Sequence, residues 1–144
     1  MADRIAVVGV GAIGGVCAAH LIAAGRDVVC CVRTPFTVLE LEAPGASYRF
    51  EPQVETDPAR AGAAAWILLA TKAHQTAGAA AWLAALAGGD TRLAVLHNGV
   101  EHVERLSPWF DPARIVPVVI ACPATATAPG RVVQRRPARL TVPR

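Results

Sequence analysis

Residues 4–24 read RIAVVGVGAIGGVCAAHLIAA, and this stretch decides the fold class. Residues 4–9 form a short apolar run, rich in β-branched side chains and ended by glycine, which predicts a buried β-strand. Residues 12–24 place apolar side chains at helical spacing, and Gly25 is expected to end that helix. Residues 27–32, DVVCCV, predict a second buried strand. A strand, a helix and a strand in so short a stretch predict a βαβ unit with parallel strands.

Beyond this unit, apolar runs alternate with segments of helical spacing. The alternation predicts a doubly wound, Rossmann-like α/β domain over residues 1–144, with a mostly parallel sheet and helices on both faces. Prolines interrupt residues 34–62, where only short strands such as 48–50 are expected. The other predicted elements are strands at residues 65–71, 92–97 and 114–121 (with Pro117 at an edge or a bulge), helices at residues 75–86 and 100–106, a loop at residues 123–130, and a terminal hairpin of residues 131–134 and 138–142.

Length and composition exclude several classes of protein. The chain has 144 residues, 53% of them hydrophobic and 17% charged, which suits one globular domain with a buried core. No apolar run is long enough to span a membrane, and the start lacks the basic residues of a signal peptide, so we expect a soluble, cytoplasmic protein. A net charge of +3 does not indicate a nucleic-acid partner. The four cysteines show no CxxC spacing, so we expect buried thiols and no metal site.

Residues 9–14 form a GxGxxG pattern between the first predicted strand and the first helix. In this context the pattern is typical of a dinucleotide-binding loop, although an ordinary glycine-rich turn is the alternative. The first glycine allows a tight turn, the second opens the backbone to a pyrophosphate, and the third lets helix and strand pack closely. The helix N-terminus offers N–H groups to the phosphates. The candidate cofactor-binding residues of this loop are Gly9, Val10, Gly11, Ala12, Ile13 and Gly14.

The residue after the second strand distinguishes between the two nicotinamide cofactors. A carboxylate at this place would accept a hydrogen bond from the ribose 2′-hydroxyl of NAD(H), but the chain has Arg33, followed by Thr34. A guanidinium offers forked donors to a 2′-phosphate, which a carboxylate would repel. We therefore predict NADP(H) as the cofactor. The alternative is that Arg33 is a solvated loop residue.

Ligands of such sheets bind beyond the carboxyl ends of the strands, so the residues that follow each predicted strand are further candidates. Lys72 follows the third strand and faces either the cofactor or solvent. Asn98 follows the fourth and can donate and accept at once, which suits a nicotinamide ribose or a substrate carbonyl. His97 beside it has no visible partner, which is weak evidence for catalysis. Thr71 and Cys122 also follow predicted strands.

Several motifs together resemble the ketopantoate reductase (2-dehydropantoate 2-reductase) family. Each motif alone is modest, but five in the family's order are specific, and the resemblance covers nearly the whole chain. The motifs are IAVVGVGAIGG at residues 5–15, Arg33 at the end of the second strand, LLATKAHQT at residues 68–76, LHNGVE at residues 96–101 and PGRV at residues 129–132.

The resemblance implies NADPH-dependent reduction of a small 2-keto acid, 2-dehydropantoate, to a 2-hydroxy acid on the route to pantothenate and coenzyme A. It implies that residues 9–14 and Arg33 hold the adenosine and phosphate end of the cofactor. Lys72 and Asn98 would lie near the nicotinamide end, with Asn98 also contacting the substrate. The loop around Ala126 would contact the cofactor more weakly.

Family members are longer than this chain, and their helical C-terminal domain supplies the catalytic lysine and most substrate contacts. Because the chain stops at Arg144, no catalytic residue is assigned in it. We expect a cofactor-binding half that binds NADPH with little or no turnover. An exposed apolar patch is expected where the missing domain would dock, or through which a homodimer would form. The alternatives are a standalone NADP-binding module without catalysis and a related Rossmann oxidoreductase that acts on another 2-keto acid.

Overall fold

The computed structural model describes residues 3–71, 77–96 and 102–143. The helices are α1 (Ala12–Ala23), α2 (Ala80–Leu86) and α3 (His102–Leu106). The strands, in chain order, are β1 (Ile5–Val8), β2 (Val28–Cys31), β3 (Leu39–Ala43), β4 (Ala46–Phe50), β5 (Gln53–Glu55), β6 (Trp66–Leu69), β7 (Arg92–Val95), β8 (Ile115–Pro117), β9 (Val119–Ala121), β10 (Ala124–Ala128), β11 (Arg131–Gln134) and β12 (Arg139–Thr141).

The main sheet has six parallel strands in the order β5-β2-β1-β6-β7-β8. Ile5 pairs with Val28 on one side and with Trp66 on the other, so β1 is central. The chain adds β2 and β5 on one side of β1, then reverses and adds β6, β7 and β8 on the other side, as in a doubly wound sheet. The predicted βαβ unit and the parallel sheet are confirmed, and the described part of the chain contains no helix able to cross a membrane.

Helix α1 lies between the main sheet and a second sheet of order β10-β11-β3-β4. In this second sheet β11 and β3 are parallel and the outer pairs are antiparallel. Val16 of α1 joins one apolar cluster with Val7 of β1 and Leu41 of β3. A helix covered on two sides needs apolar side chains around most of its circumference, which explains why α1 carries almost no polar residues.

The opposite face of the main sheet is covered by α2 and α3. Leu83 of α2 and Leu106 of α3 are buried with side chains of the central strands, among them Val8 and Leu69. Because α1 covers the other face, helices lie on both faces of the sheet, as predicted. Cys30 belongs to the α1 side and Cys31 to the α2 side, so the adjacent thiols of β2 face opposite ways.

Helix α1 ends at the predicted glycine. Gly25 has φ +82, and its N–H donates to the carbonyl of Ile22 at 2.9 Å. The N–H of Arg26 donates to the carbonyl of Leu21 at 3.0 Å, which completes a Schellman motif. The last turn of α1 is thus satisfied before the chain enters β2.

The predicted strand at residues 114–121 is two strands. β8 closes one edge of the main sheet at Pro117, a residue that cannot donate to a further strand. After Val118, β9 leaves the main sheet and pairs with β12. Pro117 therefore marks an edge, one of the two interpretations that the sequence allowed.

Two predictions near the C-terminus are wrong. Residues 123–130 were expected as a loop, but Ala124–Ala128 form β10, antiparallel to β11. Residues 131–134 and 138–142 were expected to pair with each other, but β11 pairs with β10 and β3, while β12 pairs with β9. The side chains of β10 are largely exposed, so this strand carries no apolar pattern that would reveal it.

Candidate functional site

The glycine-rich segment forms the turn between β1 and α1. Gly9 has φ +89, a conformation open to glycine but strained for other residues. Its N–H donates to the carbonyl of Cys31 at 3.0 Å, which ties the turn to the end of β2. Helix α1 begins at Ala12 after Gly11, and no described side chain caps its N-terminus. The first N–H groups of α1 are therefore available to an anion.

Each glycine of the pattern meets a different environment. A Cβ built on Gly14 would collide with the carbonyl oxygen of Gly9, so only glycine lets the helix pack on the turn. A Cβ built on Gly9 would lie 2.8 Å from Cγ2 of Thr71. A Cβ built on Gly11 would meet no described atom within 4 Å. Gly11 therefore serves no packing contact, and its missing side chain leaves the backbone open to a ligand.

A cavity of about 640 Å³ opens at the carboxyl edge of the main sheet, within the size range of small-molecule sites. Its walls come from segments that are far apart in the sequence. They are the turn at residues 8–11, residues 31–34 at the end of β2, Thr71 after β6, Trp82 of α2, and residues 126–129 at the end of β10. The main sheet brings together the turn after β1, the end of β2 and Thr71 after β6. The second sheet adds residues 126–129 at the end of β10.

Arg33 gives this cavity its charge. No carboxylate lies among the described lining residues. The Arg33 side chain is exposed and forms no hydrogen bond or ion pair with another described residue. An unpaired guanidinium keeps its full positive charge and its five donors. The cavity is therefore suited to an anion near the end of β2.

Thr71 lines the same cavity, and its hydroxyl lacks a hydrogen-bond partner among the described residues. Its Oγ1 atom is shielded from solvent, and no described residue bonds to it. A buried hydroxyl without a partner costs about 1–3 kcal/mol. Such a group in a native structure requires an explanation, since nearly all buried polar atoms are satisfied.

The cysteines offer no reactive thiolate to the site. Burial raises the pKa of Cys31 in the cavity wall to about 12, and burial also raises the pKa of Cys30 to about 12. The pKa of Cys17 is raised to about 11 by burial and by the nearby Cys122, whose own pKa burial also raises. All four are free thiols that remain protonated near neutral pH. The described residues contain no group of three side chains suited to a metal ion.

The structure brings together part of the predicted site. Gly9, Val10 and Gly11 line the cavity with Arg33 and Ala126. Ala12, Ile13 and Gly14 form the first turn of α1 beside it and are not part of its lining. Lys72 and Asn98, predicted for the nicotinamide end, lie outside the described residues, as does His97.

Some lining residues were not among the predicted cofactor contacts. Thr71 could have been included, because it ends the predicted strand at residues 65–71, at the edge of the sheet where ligands are expected. Trp82 is buried with 7% of its surface exposed, and its place in an alanine-rich helical pattern gives no sign that it borders a cavity. Residues 127–129 also line the cavity, and they fell within the predicted loop. Only the pairing of β10 with β11 brings them there.

The fold and the site define a doubly wound α/β domain with a glycine-rich turn beside a cavity at the carboxyl edge of its sheet. The family model described as ketopantoate reductase PanE/ApbA matches residues 5–144. The chain therefore belongs to the ketopantoate reductase family.

Curated relatives agree with this family. The chain is 44% identical over 140 residues to a 2-dehydropantoate 2-reductase of Caulobacter vibrioides, covering 96% of this chain and 48% of that protein. It is 40% identical over 145 residues to a 2-dehydropantoate 2-reductase of Mycobacterium tuberculosis, covering 99% of this chain and 49% of that protein. The chain thus spans about half the length of these relatives.

Solved structures show the same fold. A 2-dehydropantoate 2-reductase from Geobacter metallireducens matches with a TM-score of 0.90 at 23% identity, over 97% of this chain and 48% of that one. A D-mandelate dehydrogenase with NADH and anilino(oxo)acetate matches with a TM-score of 0.84 at 21% identity, over 95% of this chain and 47% of that one. At these identities the likeness shows the fold alone. The chain again covers about half the length of each of these proteins.

Proposed function

We propose that the chain is the NADP(H)-binding half of a 2-dehydropantoate 2-reductase, the enzyme that reduces 2-dehydropantoate to pantoate in pantothenate and coenzyme A synthesis. The observation that carries the proposal is Arg33, whose guanidinium bonds to no described residue and lies after β2 in a cavity whose described lining has no carboxylate. The names of the curated relatives support the reaction. The four free thiols suit a reducing compartment and support a cytoplasmic location.

The described residues fit the phosphate end of such a cofactor. The uncapped N-terminus of α1 and the open backbone at Gly11 suit a pyrophosphate. Arg33 suits a 2′-phosphate, because its planar fork binds phosphate through two donors. When bound, the cofactor supplies a hydride from C4 of its nicotinamide. The chain's own contribution is to bind and orient the molecule that carries it.

The remaining site residues are proposed from the family motifs. Lys72 would contact the cofactor beyond β6, and Asn98 would contact both the nicotinamide ribose and the 2-keto acid. Ala126 lines the cavity at the end of β10, which supports a weaker contact with the cofactor. We propose no catalytic residue in this chain, since the family's proton donor belongs to the half that the chain does not span.

We propose that the partner of this chain is that second half, and that it covers the apolar ribbon of β9 and β12. Val119 of β9 and Leu140 of β12 are 66% and 48% exposed, and Val142 directly after β12 is 57% exposed, which is unusual for apolar side chains of this size. A homodimer through the same ribbon is the alternative. The relatives, about twice as long as this chain, favour the second half.

The cofactor preference is tested by titrating NADPH and NADH into the purified chain by calorimetry. We expect NADPH to bind more tightly, and Arg33→Ala to weaken NADPH by about 10–100-fold while leaving NADH nearly unchanged, since charged hydrogen bonds contribute roughly 1.5–3 kcal/mol. Arg26→Ala is the matched control, because Arg26 is exposed before β2, at the opposite edge of the sheet. Tighter binding of NADH, or an equal loss in both variants, would contradict the proposal.

A standalone binding module is separated from a reductase half by reconstitution. The isolated chain is mixed with the C-terminal half of the Caulobacter vibrioides relative, and the oxidation of NADPH by 2-dehydropantoate is followed. We expect activity only in the mixture. NADPH binding without activity in a mixture shown to associate would favour the standalone module.

A further inference from the structure

The unpartnered hydroxyl of Thr71 is a polar group that the proposed contacts do not use. Thr71 follows β6, and the neighbouring Ala70 still donates its N–H to the carbonyl of Val8 at 2.9 Å. The backbone is therefore held against β1 up to the residue directly before Thr71. Its Oγ1 has given up water and receives no described partner in return.

Thr71 lies beside the glycine-rich turn, and this position indicates which ligand its hydroxyl can bind. A Cβ built on Gly9 would lie 2.8 Å from Cγ2 of Thr71 and 3.0 Å from its backbone N. The methyl group of Thr71 thus faces the first turn of the glycine-rich loop, and both residues line the cavity that holds Arg33. Rotation about χ1 to another staggered rotamer would bring the hydroxyl to the position of this methyl group, against the turn.

We propose that, after this rotation about χ1, the Thr71 hydroxyl donates a hydrogen bond to a pyrophosphate oxygen of the bound dinucleotide and positions the pyrophosphate in the turn at residues 9–11. The proposal rests on the proposed function, because it takes the ligand to be NADPH. The turn and the uncapped start of α1 present N–H donors. A further O–H donor beside them matches a phosphate oxygen, which has lone pairs to spare after those bonds are made.

The test compares Thr71→Val, which keeps the shape and removes the hydroxyl, with Thr71→Ser, which keeps the hydroxyl. We expect Thr71→Val to bind NADPH about tenfold more weakly, or ~1.4 kcal/mol, and Thr71→Ser to bind it like the wild type. We expect the thermal stability of the ligand-free Thr71→Val chain to equal or exceed that of the wild type, since no hydrogen bond is lost. A residue with a merely structural role would show lower stability in Thr71→Val.

A second ligand identifies the part of the cofactor that Thr71 contacts. Adenosine 2′-monophosphate carries the 2′-phosphate but no pyrophosphate, so its affinity should fall in Arg33→Ala and stay unchanged in Thr71→Val. Equal losses of both ligands in Thr71→Val would overturn the pyrophosphate contact, and no loss of NADPH affinity would overturn any role of the hydroxyl. A wild-type chain that binds neither ligand would instead overturn the proposed function.

Discussion

Gly15 of α1 and Val132 of β11 approach each other so closely that a Cβ built on Gly15 would lie 2.5 Å from Cγ2 of Val132. Gly14 beside it faces the other way, where a Cβ would collide with the carbonyl oxygen of Gly9. The two adjacent glycines therefore serve two different contacts. Gly14 lets α1 pack on the glycine-rich turn, and Gly15 lets the second sheet pack on α1.

Gly15→Ala should destabilise the chain by about 1–2 kcal/mol. The added methyl overlaps a buried, stiff valine, and this overpacking exceeds the gain of about 1 kcal/mol from replacing glycine by alanine in a helix. Urea unfolding measures the change. In the double variant Gly15→Ala/Val132→Ala the overlap is removed, so its loss should be smaller than the sum of the single losses. Gly89→Ala, with open space around its Cβ, is the control expected to be nearly neutral.

Gly11→Ala should weaken NADPH binding without changing the stability of the fold. A Cβ at Gly11 meets no described atom, so the thermal midpoint of the free chain should stay close to that of the wild type. The same methyl stands where the backbone is open to a pyrophosphate, so the affinity for NADPH should fall at least about tenfold. Calorimetry and thermal unfolding on one preparation measure both. A stability loss as large as that of Gly14→Ala would show that Gly11 serves packing after all.

The buried thiols should make the free energy of unfolding fall at alkaline pH. Burial raises the pKa of Cys30 from 9.0 to about 12, so between these values the folded chain holds a proton that the unfolded chain has released. The folded state binds more protons, and its stability is complete below pH 9.0 and declines as the pH rises toward 12. Urea unfolding at several pH values should show a shallower decline in Cys30→Ala.

Val29→Ala is the matched control for the thiol experiment, because Val29 is the buried neighbour of Cys30 and carries no titratable group. The Val29→Ala chain should have a lower free energy of unfolding than the wild type at every pH. That free energy should decline with pH as steeply as in the wild type. If Cys30→Ala keeps that slope as well, the thiol does not contribute to the pH dependence.

The isolated chain should bind NADPH and yet reduce 2-dehydropantoate at least roughly 10²-fold more slowly than a full-length relative, because a positioned proton donor contributes factors of this size. The described lining residues include no carboxylate, histidine or lysine, and burial raises the pKa of the Cys31 thiol to about 12, so that thiol is no proton donor near neutral pH. The decrease in NADPH absorbance measures turnover, with the Mycobacterium tuberculosis relative as positive control. Comparable turnover would show that this chain contains its own proton donor.

The apolar ribbon of β9 and β12 should make the isolated chain self-associate at high concentration. Leu140 of β12 and Val142 directly after β12 present apolar surface, and burying it against a second copy is favourable. Light scattering should show a mass that rises with concentration, and Leu140→Asp/Val142→Asp should lower it. Glu51→Asp, a change at an exposed polar residue, is the control expected to leave the association unchanged. A monomer at all concentrations would exclude the homodimer.

The βαβ unit, the central strands and the glycine-rich turn could be predicted because each has a local signal. Apolar runs mark strands that are buried on both faces, and glycine at residue 9 and at residue 25 marks backbone with positive φ. β10 could not be predicted, since ATATA alternates small and polar side chains that remain largely exposed. The partner of β12 could not be predicted either, because pairing with β9 joins residues about twenty positions apart, with the β10–β11 hairpin between them.

The amino-acid sequence by itself determined the parallel sheet, the turn that presents N–H groups, and the guanidinium at the end of β2, because these depend on local periodicity and on one residue next to a strand. Only the tertiary structure decided that α1 lies between two sheets, that β10 closes the cavity near Arg33, and that Thr71 lines this cavity with a hydroxyl to which no described residue bonds. These features depend on contacts between distant segments, and such contacts form only where packing brings the segments together.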